Sequence, residues 1–345
     1  MAGLILLCWP AWADTLRIAT YNPELTRQGP GLLLQAIGKR SDPQVQAVVT
    51  VLARLDADVV LLTGIDYDYN QQAIAALAED LGEAGVRYPY VLALRPNTGV
   101  PTGLDLDGNG KLGEARDAQG FGRFMGSGGM AVLSRKPLGI AQDFSGLLWR
   151  DLPYADLPPD MTDAAKAVQL LSTAGHYDLT VDYAPGKVLH LLVWYATPPV
   201  FDGPEDRNGR RNNDEAALWL HLLAGDLAWP PPDAPFVLMG QSNLDPVDGD
   251  GRHGAMAALM ALPALQDLAP KGQDAHKDRG QKGDPATDTA FYGKGVGGLR
   301  VDVILPSAGI KAAAGVLSLP QQDPFAATLA AASRHWPVWA VLNLP

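Results

Sequence analysis

Residues 16–66 constrain the fold most, through three runs in succession: LRIATYN, QVQAVVTVLARL and DVVLLTGID. The first alternates apolar and polar residues as a strand does, and it stops at Pro23. In the second, Val45, Val48, Val49, Leu52 and Leu55 share one helical face, and Ser41-Asp42-Pro43 ahead of it offers a cap and a first-turn proline. The third is an unbroken apolar run, which predicts a strand buried on both faces. Strand, helix and strand in this order predict an α/β chain with helices packed over a sheet.

The rest of the chain repeats the theme less regularly. GMAVLSRKPL contains a core strand ended by a Ser-Arg-Lys-Pro turn, and YDLTVDY (177–183) and KVLHLLVWY (187–195) form a hairpin about Ala184-Pro185-Gly186. NNDEAALWLHLLAG (212–225) is expected to be helical, with Asn and Asp at its start and Gly225 at its end. FVLMG, LRVDVILP (299–306) and WPVWAVLNL (336–344) are further strands, and 270–298 is a long polar loop of the kind that is functional or mobile. Short helices scattered among many strands favour two sheets packed face to face with helices outside. No repeat or shift in composition marks a boundary, so 14–345 is expected to be a single domain and a monomer. At 345 residues the chain has ample length for one large core.

The first residues, MAGLILLCWPAWADT, suggest a signal peptide over 1–13, with Ala11-Trp12-Ala13 as the cleavage signal before Asp14. That predicts an exported, periplasmic or secreted protein, the alternatives being a buried N-terminal strand or a misplaced start. The only cysteine, Cys8, falls inside this segment, so the mature chain would lack thiol chemistry. No later run reaches the ~20 apolar residues of a spanning helix, and no integral membrane segment is expected. With 27 Lys and Arg against 38 Asp and Glu, the net charge of −11 argues against broad capture of nucleic acid, though not against a local basic patch.

Polar residues that end apolar strands are natural site positions, because the strand fixes the backbone while the loop exposes the side chain. Here they are Asn22 with Glu24, Asp66, Tyr195, Gln241 with Asn243, and Asp302 with His335. In order, TYNPE, DVVLLTGID, GGMAVLSR, VWYATPP, MGQSN, LRVDVILP and SRHWPV resemble the endonuclease/exonuclease/phosphatase superfamily over nearly the whole mature chain. The resemblance implies a DNase I-like fold: a four-layer α/β sandwich of two mostly antiparallel sheets with helices outside. It implies a phosphate-ester hydrolase of phosphodiesterase, nuclease or phosphatase type, with in-line attack by water and a divalent metal, Mg²⁺ or Mn²⁺. Asn22, Glu24 and Asp66 would hold that metal, which as a hard cation prefers oxygen ligands. Asn243 and Tyr195 would contact the phosphate, and Asp302 would orient His335 against it.

Three positions depart from that pattern, the mildest being Tyr195, which stands where nuclease branches often place His and where a similar branch has a tyrosine. Gln241 stands where the family supplies a carboxylate, and an amide can orient water but cannot take its proton. Arg334 stands where a second anionic ligand is expected, and it brings a permanent positive charge. The last two changes weaken a cation site and favour an anion. The competing expectation is therefore an impaired member that binds a phosphorylated ligand or partner.

Two loops add candidates. FDGPEDRNGRRNNDE places Arg207, Arg210 and Arg211 before a helix start, an arrangement suited to phosphate oxygens, with a solvated loop as the alternative. DLDGNGKLGEAR (105–116) begins like a calcium loop with Asp105, Asp107 and Asn109, but Arg116 occupies its twelfth position. Ca²⁺ there, or a merely Asx-turned loop, are the readings, and a calcium-stabilised binding protein is the weakest of the three functional expectations.

Overall fold

The computed structural model describes residues 14–233, 235–275 and 277–345, so the expected leader over 1–13, with Cys8, lies outside the described residues. Its strands are β1 (Asp14–Tyr21), β2 (Val59–Ile65), β3 (Tyr90–Leu94), β4 (Gly129–Ser134), β5 (Leu138–Asp143), β6 (Gly175–Ala184) and β7 (Lys187–Tyr195). They continue as β8 (Phe236–Gln241), β9 (Ala290–Phe291), β10 (Gly298–Leu299), β11 (Asp302–Pro306), β12 (Lys311–Val316) and β13 (Val338–Leu344). One sheet has the order β12-β13-β1-β2-β4-β3, the other β11-β8-β7-β6-β5, and β9 and β10 form a separate ribbon. Only β1–β2 and β7–β8 pair in parallel within the two large sheets.

The helices are α1 (Leu32–Gly38), α2 (Pro43–Leu55), α3 (Gln72–Glu83), α4 (Asp163–Val168), α5 (Arg207–Ala224), α6 (Gly254–Ala261) and α7 (Ala326–Ala332). Alternation along the strands distributes the side chains among three cores. Leu16, Ile18, Val59 and Leu61 meet Leu191, Val193, Val237 and Met239 between the sheets. Their neighbours Ala19, Tyr21, Val60 and Leu62 turn outward under α1, α2, α3 and α7. On the far side, Leu192, Trp194 and Leu238 are covered by α5 and α6. The result is the four-layer sandwich of the DNase I-like fold, with period-two strand patterning deciding which residues reach which layer.

Where sequence and structure differ, tertiary contacts decide. α2 begins at Pro43 with the Asp42 side chain accepting from Val45 N, as the capping pattern predicts. α5, however, starts at Arg207 rather than near Asn212, because Arg211 and Asn212 are themselves buried. The run LRVDVILP is split: Leu299 belongs to the β9–β10 ribbon and only Asp302–Pro306 joins the large sheet. Among the described residues no helix is long and apolar enough to cross a membrane.

Leu191 is almost fully buried between the sheets, whereas Val188 on the same strand is exposed. Leu191→Ala is expected to cost about 2–5 kcal/mol in urea denaturation. Val188→Ala should stay below about 1 kcal/mol.

Candidate functional site

The inner faces of both sheets stay apolar until their last residues, where Thr63 on β2, Gln241 on β8 and Asp302 on β11 continue the same pleat. These ends bring polar groups together at one edge of the sheet–sheet core. Gln241 is the hub. Its Oε1 accepts from Asn22 Nδ2 at 2.7 Å and Thr63 Oγ1 at 2.9 Å, and its Nε2 donates to Asn243 Oδ1 at 2.6 Å. Asn243 Nδ2 donates onward to Ala196 O just beyond β7, at 2.7 Å. Tyr195 stands beside Asn22, and burial pushes its phenol up to about 12, with the charges of Asp302 and Glu24 adding to the rise.

A second group hangs on the segment before β13. His335 Nδ1 lies 2.9 Å from Asp302 Oδ2, and both residues are buried. Thr289 Oγ1 accepts the backbone amides of Val301 and Asp302 and donates to the same carboxylate oxygen at 2.9 Å. Beside it, Arg334 grips Glu24: its backbone N is 2.8 Å from Oε2, its Nε is 2.8 Å from Oε1, and Nη2 is also bonded to Oε1. Ser333 Oγ lies 2.7 Å from Asn22 O and 3.1 Å from Glu24 Oε2. Burial alone would raise the Glu24 carboxyl, but the hydrogen bonds and charge of Arg334 outweigh it and hold the group below the ordinary carboxylate range.

Of the sequence-predicted residues, Asn22, Glu24, Tyr195, Gln241, Asn243, Asp302, Arg334 and His335 are thus brought to one place. Asp66 is not linked to them by a hydrogen bond. Its two oxygens accept the backbone amides of Arg27 and Gly128, tying down two loops, and burial raises its carboxyl. The β2 residue that faces Asn22 is Gly64, at φ 61, where a Cβ would come 2.3 Å from Asn22 Oδ1. No side chain fits there, so β2 brings no carboxylate to Asn22.

The three arginines expected at a phosphate are spent inside the protein. Arg207 donates to Gln169 Oε1 and Leu106 O, and Arg210 to Glu205 O and Asp156. Arg211 donates to the carbonyls of Leu170, Leu171 and Gln119, and burial pulls its guanidinium down to about 10. The loop at 105–116 closes on itself. Asp105 and Asp107 gather with Asp117, one residue past Arg116, while Asn109 donates to Asp107 and Glu114 instead of standing as a third ligand. That triad also accepts the amides of Leu106, Asn109, Gly110 and Glu114, as turn carboxylates do.

A Mg²⁺ or Mn²⁺ ion does not fit the donors at the strand ends. Both Glu24 oxygens are filled by Arg334 and Ser333, both Asp66 oxygens by backbone amides, and Asp302 Oδ2 by His335 and Thr289. Asp302 Oδ1 is buried without a partner, a single oxygen where a hard cation wants several. Among the described residues, the acidic triad is the one at Asp105, Asp107 and Asp117.

Tyr292 is the residue that sequence reasoning missed. It follows β9, its Oη is 3.2 Å from His335 Nε2, and its ring meets the imidazole edge-on at 89° with the Arg334 guanidinium 5.3 Å from its centroid. The available signal was an aromatic residue before glycine, FYGKG, inside the long polar loop.

Two sheets back to back, with polar strand ends converging on a buried Asp–His pair, are the architecture of DNase I-like phosphoester enzymes. The sequence model of the Endonuclease/Exonuclease/phosphatase family matches residues 34–335, and the chain belongs to that family. Its members are generally phosphoester hydrolases and typically use divalent metals. No curated protein matches the sequence. Among solved structures, an endonuclease/exonuclease/phosphatase from Beutenbergia cavernae is 18% identical with TM-score 0.56, over 96% of this chain and 72% of that one. The family protein from Bacteroides vulgatus is 12% identical with TM-score 0.52, over 96% and 99%. Sphingomyelinase C from Streptomyces griseocarneus is 16% identical with TM-score 0.50, over 95% and 99%. At these identities the likeness is one of fold.

Because the folded Glu24 carboxyl titrates below its unfolded value, its stabilisation is present above the ordinary carboxylate range and is lost as pH falls through the lowered value. Glu24→Gln is therefore expected to lower the melting temperature at pH 7 and to converge with the parent in acid. Thermal melts between pH 7 and pH 3 check this, and equal differences across that range would contradict it.

Proposed function

We propose that the strand-end site binds a phosphate ester through its own cationic and amide groups, without a divalent ion held by its carboxylates, and that hydrolysis there is slow. The observation that carries this reading is the Arg334 guanidinium seated on Glu24 beside an amide at Gln241, which puts N–H donors where a metal site needs bare oxygens. Family membership supports phosphate-ester chemistry as the ligand class. The net charge of −11, and the internal commitment of Arg207, Arg210 and Arg211, favour a small ester over a long nucleic acid.

The Asp302–His335 pair favours residual turnover. Asp302 orients the imidazole and stabilises its protonated form, which can hand a proton to a leaving oxygen. What is missing is a base for the water, and losing one well-placed group costs on the order of a hundred- to a thousandfold in rate. An exported location belongs to the same proposal and rests on the apolar run that precedes Ala11-Trp12-Ala13.

Calorimetric titration with inorganic phosphate is expected to show binding that chelator leaves unchanged and that His335→Ala or Arg334→Ala weakens about tenfold, as removing a charged hydrogen-bond donor does. Hydrolysis of bis(p-nitrophenyl) phosphate should be slow and not stimulated by Mg²⁺ or Mn²⁺. Gln241→Asp combined with Arg334→Asp should introduce metal stimulation. Fast, metal-dependent turnover by the parent, lost in His335→Ala, would overturn the reading. Export is checked separately: the protein recovered from outside the cytoplasm should begin at Asp14.

A further inference from the structure

His335 is 3% exposed, and Asp302 takes its Nδ1, so Nε2 is the nitrogen left to meet a ligand. Tyr292 Oη already occupies that nitrogen at 3.2 Å, with the two rings edge to face. The phenol makes no other hydrogen bond among the described residues.

The donor and acceptor roles turn on which ring nitrogen carries the proton. Burial holds the Tyr292 phenol well above its ordinary range, and the charge of Asp302 adds to this, so the phenol keeps its proton. With Asp302 beside Nδ1, the phenol O–H donates to Nε2 where that nitrogen is bare, and the phenol oxygen accepts where Nε2 carries a proton. The contact with Asp302 fixes the ring with Nε2 turned toward Tyr292. Glu24, Arg334 and Tyr195 are the other charged or titratable groups in electrostatic reach of this pair.

The backbone around Tyr292 suits a cover that can lift. One side is clamped: Phe291 N donates to Arg334 O at 2.9 Å, and Trp336 N to Thr289 O at 2.7 Å. The other side is the tip of the β9–β10 ribbon, where Gly293 and Gly295 have φ 82 and 110 and nothing packs where their Cβ atoms would lie. The tip is a turn closed by Tyr292 N to Gly297 O at 3.0 Å and Gly297 N to Gly293 O at 2.9 Å, and lifting it moves the Tyr292 ring off His335 and Arg334.

We propose that Tyr292 is a positioning residue that holds His335 as its Nδ1–H tautomer and covers Nε2, and that an incoming phosphate oxygen must displace the Tyr292 hydroxyl to reach that nitrogen. This rests on the phosphate reading of the strand-end site. When the anion arrives, Nε2 takes a proton from solvent, keeps it, and hydrogen-bonds through it to the phosphate oxygen. Asp302, whose Oδ1 is buried without a partner, stabilises the resulting imidazolium. The Tyr292 O–H bond is neither broken nor formed in the exchange.

Tyr292→Phe removes the hydroxyl and keeps the ring that packs on His335 and Arg334, and a thermal melt checks that it folds. With ¹⁵N-histidine in the full chain, and His335→Gln to assign the signal among six histidines, the parent above the ordinary imidazole range should show Nδ1 protonated and Nε2 bare but hydrogen-bonded. Tyr292→Phe should shift the Nε2 resonance toward that of a free lone pair. Inorganic phosphate should then bind Tyr292→Phe about two- to tenfold more tightly than the parent, the effect of one net hydrogen bond. An unchanged Nε2 resonance, or phosphate affinity that stays equal or falls, overturns the proposal. If neither protein binds phosphate while the Nε2 resonance still moves, the phosphate reading fails and the positioning role of Tyr292 stands.

Discussion

The hydrogen bonds at Gln241 join the two sheets at the end where their apolar cores stop. One oxygen on β8 accepts from Asn22, just past β1, and from Thr63 on β2, across chain separations of 219 and 178 residues. The same side chain donates to Asn243, which reaches the backbone after β7. A carboxylate could accept from Asn22 and Thr63 but could not donate to Asn243 Oδ1. The amide at 241 is thus matched to its neighbours on both sides, and buried polar groups in such a chain stay satisfied only together. The strand ends keep their polar character, but the array is wired through amides rather than through charge.

The electrostatics follow from that wiring. Arg334 covers Glu24, Asp302 faces His335, and Asp66 has turned to backbone amides. Each carboxylate that might have held a cation has an internal donor, and the groups left at the strand ends are a guanidinium, an imidazole, phenols and amides. Those groups recognise an anion better than they coordinate a metal. Breaking a partly buried ion pair strands a charge, so the Glu24–Arg334 contact is self-reinforcing: neither residue changes alone without cost to the other.

Much of this was legible in the strand ends, because a strand's last polar residue is placed by the same alternation that buries its apolar ones. That is why Asn22, Gln241, Asn243, Asp302 and His335 were found, and found together. Tyr292 was not, since its place depends on a two-residue ribbon pairing within a long polar loop, which carries no periodicity to read. Asp117 was passed over because the calcium-loop pattern looks to the twelfth position, and the carboxylate arrives one residue later. Arg207, Arg210 and Arg211 looked like an exposed fork because sequence shows charge but not burial. Their carbonyl and carboxylate partners lie up to 101 residues away.

By itself the sequence determined the layers: unbroken apolar strands need cover on both faces, which a second sheet and outer helices supply. It also determined which residue types stand at the strand ends, including the amide at 241 and the arginine at 334. Only the tertiary structure decided what those side chains do. Whether Glu24 is a ligand or a partner of Arg334, and whether His335 Nε2 is open or covered by Tyr292, depends on contacts between segments distant in the chain. Such contacts are set by how the two sheets close on each other, and no local pattern encodes them.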